Sequence, residues 1–254
     1  MKFRHYFLYA EKFGSRYFLV AGIAFSVFYL LFKRTKRFKK IQSRFPRLKD
    51  YTRDIAYAII TIFIFALVFL VIFDSPVIMR HTWFYRQISE HSWFYFFLAF
   101  PLLFVLHDTY FYRTHRSMHH KKLFRLFHHV YHHSTNPSPW SAYAFHPLEA
   151  LVEAGIFVLF LFVMSIHPLH IFMFFFLMTV NNAYGHLGFE RYPRGFKKSS
   201  IGKWINTSIN HNLHHPFFKG NYGLYFTCWD RLKGTLRPDY DMHFEEVTAK
   251  NNNK

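Results

Sequence analysis

Five long apolar segments, separated by strongly basic stretches, limit what this chain can fold into. They are residues 17–32, 55–73, 93–106, 150–166 and 168–180. Only residues 55–73 approach the roughly 20 residues that one helix needs to cross the hydrocarbon core of a bilayer. The other segments must extend into their flanks to span. Cleavage of a signal peptide is not expected, because lysine and arginine follow residue 32 at once, without a small-residue processing site.

The composition supports a membrane protein. Of the 254 residues, 52% are hydrophobic, yet the formal net charge is +18. A mean hydropathy of zero therefore averages apolar runs with basic linkers, which is typical of multi-pass membrane proteins. Anionic lipid headgroups account for the basic charge more simply than a nucleic acid does, so no nucleic-acid partner is expected. The single cysteine, Cys228, excludes an internal disulfide and a cysteine-based metal site.

The distribution of lysine and arginine orients the segments. Residues 33–54 contain ten basic and two acidic side chains, whereas residues 74–92 contain two of each. The first loop is therefore expected in the cytoplasm. Counting segments from there places residues 107–149 and 185–254 on the same side. The predicted fold is an all-α integral membrane protein with two transmembrane hairpins, or four to five membrane segments, capped by a cytoplasmic helical domain rich in histidine.

Two features near the N-terminus leave alternatives open. Residues 17–32 either span the membrane or lie in its interface, because basic residues also precede them. The basic run from Lys33 to Lys40 is expected to contact headgroups, with docking of an acidic electron carrier as the alternative.

Three histidine clusters, HRSMHH, HVYHH and HNLHH, lie in the regions expected on the cytoplasmic side. Within each, histidines recur at spacings that place them on one helix face. Eight histidines exceed what one four- to six-coordinate ion can use, so two metal ions are expected. No cluster contains the carboxylate base of a hydrolytic zinc motif, which favours oxygen-activating iron. The clustered histidines are His115, His119, His129, His132, His133, His211, His214 and His215.

Three acidic residues near the clusters are candidates for supporting roles. In an unbroken helix Asp108 would share a stripe with His115 and His119, where it could accept a hydrogen bond from a ligand imidazole or pair with a nearby arginine. Glu149 and Glu153 lie where the fourth segment enters the membrane. Acids at such positions are costly enough to suggest a function.

Four stretches of the chain resemble the fatty acid hydroxylase superfamily, the membrane di-iron group that includes sterol desaturases. The resemblance covers about residues 95–240, with the motifs in the family's order and spacing. It divides the chain into an N-terminal membrane segment and basic loop, residues 1–54, and a fatty acid hydroxylase-like domain, residues 55–254. The matching stretches are HDTYFYRTHRSMHH (107–120), HHVYHHSTNPSPWSAYAFHPLEA (128–150), GHLGFE (185–190) and NTSINHNLHHPFFKGNYGLYFTCWDRLKGT (206–235).

The resemblance implies a function. Family members use two iron ions (Fe²⁺), O₂ and electrons from a separate NAD(P)H-dependent carrier, of ferredoxin or cytochrome b5 type, to hydroxylate or desaturate an alkyl C–H bond of a lipid. It implies a metal site on the cytoplasmic face of the endoplasmic reticulum or of a bacterial inner membrane. Carried over by position, the iron ligands are His115, His119, His129, His132, His133, His186, His211, His214 and His215, and His120 is an alternative to His119.

Two asparagines depart from the family pattern. Many members have a histidine at Asn210, and the fatty acid 2-hydroxylase branch has one at Asn182, so this chain is closer to the sterol-desaturase-like branch. Asp108 and Asn210 are expected to assist catalysis, Asn210 through a bound water. Two other functional classes stay open, a zinc-dependent non-oxidative lipid enzyme and a membrane metal-binding module without turnover.

Overall fold

The computed structural model describes residues 2–32 and 39–249, which are mostly helical. Short 3-10 turns and one pair of two-residue strands, β1 (Lys39–Lys40) and β2 (Phe189–Glu190), connect the helices. The α-helices of the described residues are α1 (Lys2–Phe25), α2 (Leu48–Phe73), α3 (Pro76–Met79), α4 (Trp93–Met118), α5 (Lys121–Phe127), α6 (Pro147–Val163), α7 (Pro168–Gly185), α8 (Ser208–Phe217), α9 (Cys228–Leu232) and α10 (Tyr240–Ala249).

Three helices of the described residues are long and apolar enough to cross a membrane. They are α2, α4 and a 30-residue helix, Lys2–Leu31, in which one π-helical stretch, Ser26–Leu31, continues α1. The first apolar segment is thus the C-terminal half of a much longer helix. The third segment continues beyond residue 106 to Met118, as expected from its apolar flank.

The last two apolar segments form short helices. Helix α6 has 17 residues and α7 has 18, so α6 is only about 25 Å long. Neither is among the membrane-length helices of the described residues. Residues 164–167 connect them. Helix α7 begins with Pro168 at its first position, and the His167 ring accepts a hydrogen bond from the Leu169 amide.

Aromatic side chains fill the space between α1, α2, α6 and α7. The rings of Phe69 and Phe157 stack with centroids 4.0 Å apart, and Phe13 meets Phe69 edge to face at 4.8 Å. Small residues on α2, such as Ala58 and Ala66, are fully buried and let the backbones approach. Alternation of small and large side chains therefore holds the bundle together.

Polar contacts mark the two ends of the bundle. At one end, His5 Nδ1 and Asp74 Oδ2 are 2.7 Å apart. At the other end, the carboxylate of Asp54 on α2 accepts hydrogen bonds from Ser134 Oγ at 2.8 Å and Ser141 Oγ at 2.7 Å. These two serines flank the segment that follows the second histidine cluster, so Asp54 ties that segment to the membrane-length helix.

The basic run at residues 33–40 is only partly visible, because residues 33–38 lie outside the described part of the chain. Lys39 and Lys40 form β1, whose antiparallel partner is β2. The Lys40 ammonium lies 4.6 Å from the ring centroid of Phe45, and burial lowers the pKa of this amine to about 8. Lys40 therefore packs into the fold.

Replacing Asp54 with alanine is expected to destabilise the protein. The change leaves two buried serine hydroxyls and the Arg53 guanidinium without their shared acceptor, a loss of about 3 kcal/mol or roughly 6–12 °C in Tm. Thermal unfolding of the detergent-purified protein measures it. The control is Asp50→Ala, one turn earlier, which removes a helix cap (Arg47 N to Asp50 Oδ2) and a 3.4 Å contact to Arg53 but leaves the serines paired, and it is expected to cost about 1 kcal/mol. Equal shifts in both variants would contradict the role of Asp54.

Candidate metal centre

Histidines from three parts of the chain converge at the bundle end where Asp54 lies. One ligand-capable atom from each of five histidines lies within 4.8 Å of the others, and we call these the first histidine group. Its members come from the end of α4, the turn after α5, and α8. They are His115, His119, His128, His132 and His214.

The ring nitrogens in the first group point at one another. His214 Nε2 is 2.9 Å from His115 Nε2 and 3.1 Å from His119 Nε2. His132 Nε2 is 3.2 Å from His119 Nε2. The Nε2 atom of His128 is buried and has no hydrogen-bond partner among the described residues.

A second histidine group, His186, His211 and His215, lies beside the first. Its Nε2 atoms are 3.0 to 3.3 Å from one another. The Tyr131 hydroxyl lies 2.6 Å from His186 Nε2 and 3.0 Å from His211 Nε2. The second group therefore combines three nitrogens with one phenolic oxygen.

The hydrogen bonds on the far side of the rings show that these sites suit a metal ion. The Nδ1 atoms of four histidines lie 2.7 to 3.0 Å from backbone carbonyl oxygens. A carbonyl can only accept, so each Nδ1 carries the proton and the neutral ring presents a lone pair at Nε2. Lone pairs facing each other at about 3 Å repel unless a cation lies between them. The four Nδ1-to-carbonyl hydrogen bonds join His115 to Tyr222, His132 to His215, His186 to Asn182, and His214 to Gly220.

Burial keeps these imidazoles uncharged. It lowers the pKa of His119 to about 2, that of His132 to about 3 and that of His186 to about 4. The pKa of His128 also falls well below its usual value, first because of burial and then because other histidines surround it. Neutral imidazole is the form that binds metals, so the rings are ready as ligands at neutral pH.

Seven of the nine histidines predicted as ligands belong to one of the two groups, whereas His129 and His133 do not. Their rings are 4.5 Å apart and line an open pocket with Arg47 and Arg53. The alternative residue, His120, caps α5 by accepting a hydrogen bond from the Lys122 amide.

Sequence reasoning missed His128 as a member. It lies four residues before His132, but His129 stands at the same spacing from His133, so spacing alone does not single it out. His128 Nδ1 is 2.6 Å from Glu149 Oε1 at the start of α6. A carboxylate in this position orients a ligand imidazole and raises its basicity.

The two residues predicted to assist catalysis lie beside the groups without joining them. Asp108 Oδ1 accepts the backbone N–H of Tyr225 at 2.8 Å and, at 3.3 Å, those of Leu224 and Phe226. Within the described part of the chain it makes no hydrogen bond to a ligand imidazole. It anchors the loop that presents carbonyls to the first group. Asn210 Nδ2 donates to Asn206, and Asn210 Oδ1 is buried without a partner among the described residues.

A narrow cavity of about 30 Å³ lies inside the bundle. Two of its lining residues, Phe111 and Asn182, contact members of the histidine groups. Phe111 packs against His115 at 5.0 Å, and Asn182 accepts the His186 hydrogen bond. Most of its lining is aromatic or aliphatic, and Glu153 supplies a carboxyl. We call this space the inner cavity.

Helices of membrane length with two buried histidine groups at one end indicate a membrane protein with a candidate metal site. The fatty acid hydroxylase family model matches residues 100–235, more than half of the chain. The chain therefore belongs to the fatty acid hydroxylase family. No solved structure matches this chain.

Several sterol-modifying enzymes are similar to this chain. Delta(7)-sterol 5(6)-desaturase ERG3B of Gibberella zeae is 28% identical over 246 residues, which cover 92% of this chain and 70% of that protein. Lathosterol oxidase of Homo sapiens is 30% identical over 130 residues, 51% of this chain and 42% of that protein. Delta(7)-sterol 5(6)-desaturase erg3A of Aspergillus fumigatus is 32% identical over 168 residues, 65% of this chain and 45% of that protein. The chain thus spans less than half of the length of the last two proteins.

Neighbouring histidines provide a matched test of the first group. His128→Ala removes a nitrogen from the group and is expected to lower the metal bound per chain. His129→Ala, one residue later, is expected to leave the metal content unchanged, because its ring lies with His133 outside both groups. Metal analysis of both purified variants after anaerobic reconstitution measures the difference. A larger loss in the His129 variant would contradict the grouping.

Glu149 is expected to tune the affinity for metal. Glu149→Gln replaces the carboxylate beside His128 Nδ1 with an amide of similar shape, and such changes weaken metal binding about 10- to 100-fold. Competition with a chelator measures the change. Glu153→Gln is the control on the same helix, since Glu153 lies in neither histidine group. Equal affinities for wild type and Glu149→Gln would argue against the role of Glu149.

Proposed function

We propose that this protein is a membrane-bound di-iron oxygenase that hydroxylates or desaturates an alkyl C–H bond of a lipid. The lipid is a fatty acyl chain, a sterol or a related molecule. The observation that carries the proposal is the convergence of eight histidines in two buried groups whose Nε2 lone pairs face each other. Membership of the fatty acid hydroxylase family and similarity to sterol desaturases support the same function.

The proposed ligands follow the structure where it departs from the sequence-based set. His128 takes part in the first group, and His129 and His133 are left out of both. The carboxylates near the groups support the histidines, because no described acidic side chain belongs to either group. A set of neutral nitrogens suits redox-active iron.

Each part of the site has a role in the proposed reaction. Two ferrous ions, when bound, would supply the capacity to activate O₂ with electrons from a separate ferredoxin- or cytochrome b5-type carrier that depends on NAD(P)H. The backbone carbonyls hold four imidazoles in the tautomer that presents Nε2. Glu149 orients His128, and the aromatic lining of the inner cavity excludes water beside the groups.

The overall chemistry balances for both outcomes. Hydroxylation consumes one C–H bond, O₂, two electrons and two protons, and it yields an alcohol and one water. Desaturation consumes two adjacent C–H bonds with the same O₂, electrons and protons, and it yields an alkene and two waters. The two reactions differ in the fate of the second hydrogen.

The proposed location is the cytoplasmic face of the endoplasmic reticulum or of a bacterial inner membrane. Excess lysine and arginine in residues 33–54 support this side for the end of the bundle at which α2 begins. The hydrogen bonds of Asp54 to Ser134 and Ser141 join the second histidine cluster to that same end.

Metal content and oxygen use test the proposal against its alternatives. The reconstituted protein is expected to hold two irons per chain and to consume O₂ in the presence of reductant and lipid. A zinc-dependent lipid enzyme would act without oxygen or reductant, and a metal-binding module would exchange metal without turnover. A full zinc complement with no O₂ consumption would overturn the oxygenase.

Lipid profiling under ¹⁸O₂ identifies the reaction. Cells expressing the protein are compared with cells expressing His214→Ala, which removes a central member of the first group. A labelled hydroxyl that depends on the wild-type protein would identify hydroxylation and its substrate. A new double bond without label would identify desaturation. Identical profiles with intact metal binding would count against both.

A further inference from the structure

An arginine lies near the midpoint of the 30-residue helix Lys2–Leu31. Arg16 faces α7, with its guanidinium carbon 5.2 Å from the Phe13 ring centroid and 5.4 Å from that of Phe175. Phe175 is itself near the middle of α7. A charged side chain at this level of a membrane helix is costly, so it calls for a compensating interaction.

Beyond its cation–π contacts with these two rings, the protein supplies little compensation for the charge. Arg16 Nη2 donates a hydrogen bond to the Lys12 carbonyl at 3.4 Å. Arg16 Nη1 is buried without a hydrogen-bond partner among the described residues. Among the described residues, no acidic side chain lines the groove that Arg16 faces, whereas Lys12 adds a second positive charge. The groove therefore has an unmatched charge that an anion would neutralise.

The groove itself has the character of a lipid site. It runs between α1, α2 and α7 and encloses about 580 Å³, within the range of about 300–1,000 Å³ for small-molecule sites. Apart from Lys12, Ser15 and Arg16, aromatic and aliphatic side chains line it. An alkyl chain along this wall would keep its methylenes out of contact with charge.

A single layer of side chains separates the groove from the inner cavity. Phe13, Phe69 and Phe175 line both spaces. Their rings meet edge to face, with centroids 4.8 to 5.5 Å apart. Rotation of these rings would connect the groove to the cavity that borders the histidine groups.

We infer that the groove binds a single-chain lipid carboxylate, with its head at Arg16 and Lys12 and its chain directed past Phe13, Phe69 and Phe175 towards the inner cavity. The guanidinium fork matches a carboxylate with two parallel hydrogen bonds. A neutral hydroxyl would leave the arginine charge uncompensated. That the bound lipid is the substrate rests on the proposed function, whereas the binding itself does not.

Binding of oleate to the full-length protein in phosphatidylcholine nanodiscs tests the inference. Wild type is expected to bind oleate more tightly than oleyl alcohol, which has the same chain without the charge. Arg16→Gln is expected to weaken oleate binding about tenfold or more, because it removes a charge-assisted hydrogen bond. Arg16→Lys is expected to retain part of the affinity. Arg4→Gln is the matched control, since Arg4 is exposed on the same helix and lies outside the groove.

The results separate this inference from the proposed function. Equal oleate binding by wild type and Arg16→Gln, or equal binding of oleate and oleyl alcohol, would overturn the carboxylate site. Unchanged gel-filtration behaviour and metal content of Arg16→Gln would show that its loss of binding is local. Because no metal, oxygen or reductant is needed for the assay, oleate binding without oxygen consumption would refute only the oxygenase.

A separate variant tests whether the oleate chain reaches the inner cavity. Ala154 lines that cavity, and Ala154→Phe would fill it. If the oleate chain enters the cavity, this change is expected to lower oleate affinity although Arg16 is intact. Undiminished affinity would show that the chain stays in the groove.

Discussion

The candidate metal site depends on hydrogen bonds between imidazoles and backbone carbonyls. A histidine has two nitrogens, and only the one without a proton can hold a metal. Backbone carbonyls accept hydrogen bonds from Nδ1 of His115, His132, His186 and His214. The unprotonated Nε2 atoms of these rings therefore face the candidate metal positions. These carbonyls belong to the main chain, so the loops and helix ends that carry them must be held firmly.

Buried carboxylates hold part of that backbone. Asp108 binds the amides of residues 224–226, and Asp230 binds those of Tyr222 and Gly223, so the loop between α8 and α9 is fixed on both sides. Gly223 fits because an added Cβ would collide with the Phe226 carbonyl. Tyr222 then presents its carbonyl to His115. Asp108 and Asp230 thus act on the main chain, whereas Glu149 acts on a histidine ring.

The sequence predicted the helical character, the histidine clusters and the family well, because each follows from local spacing or a long motif. It was less informative about which histidines converge. In HHVYHH, His128 with His132 and His129 with His133 are both four residues apart. Local spacing cannot choose between two such pairs. The choice depends on Glu149, which is distant in sequence and faces His128 only once α6 packs beside the turn.

Helix lengths and helix ends together define where the histidine groups lie. Helix α4 has 26 residues and carries His115 in its last turn, whereas α6 has 17 and begins at Pro147, beside the same group. At 1.5 Å per residue, α4 is about 39 Å long and α6 about 25 Å. The histidines therefore gather where a long helix passes the start of a short one. The same short helix lines the inner cavity with Glu153, Ala154 and Phe157. In the proposed reaction, a lipid carbon in this cavity would lie on the apolar side of the histidine groups.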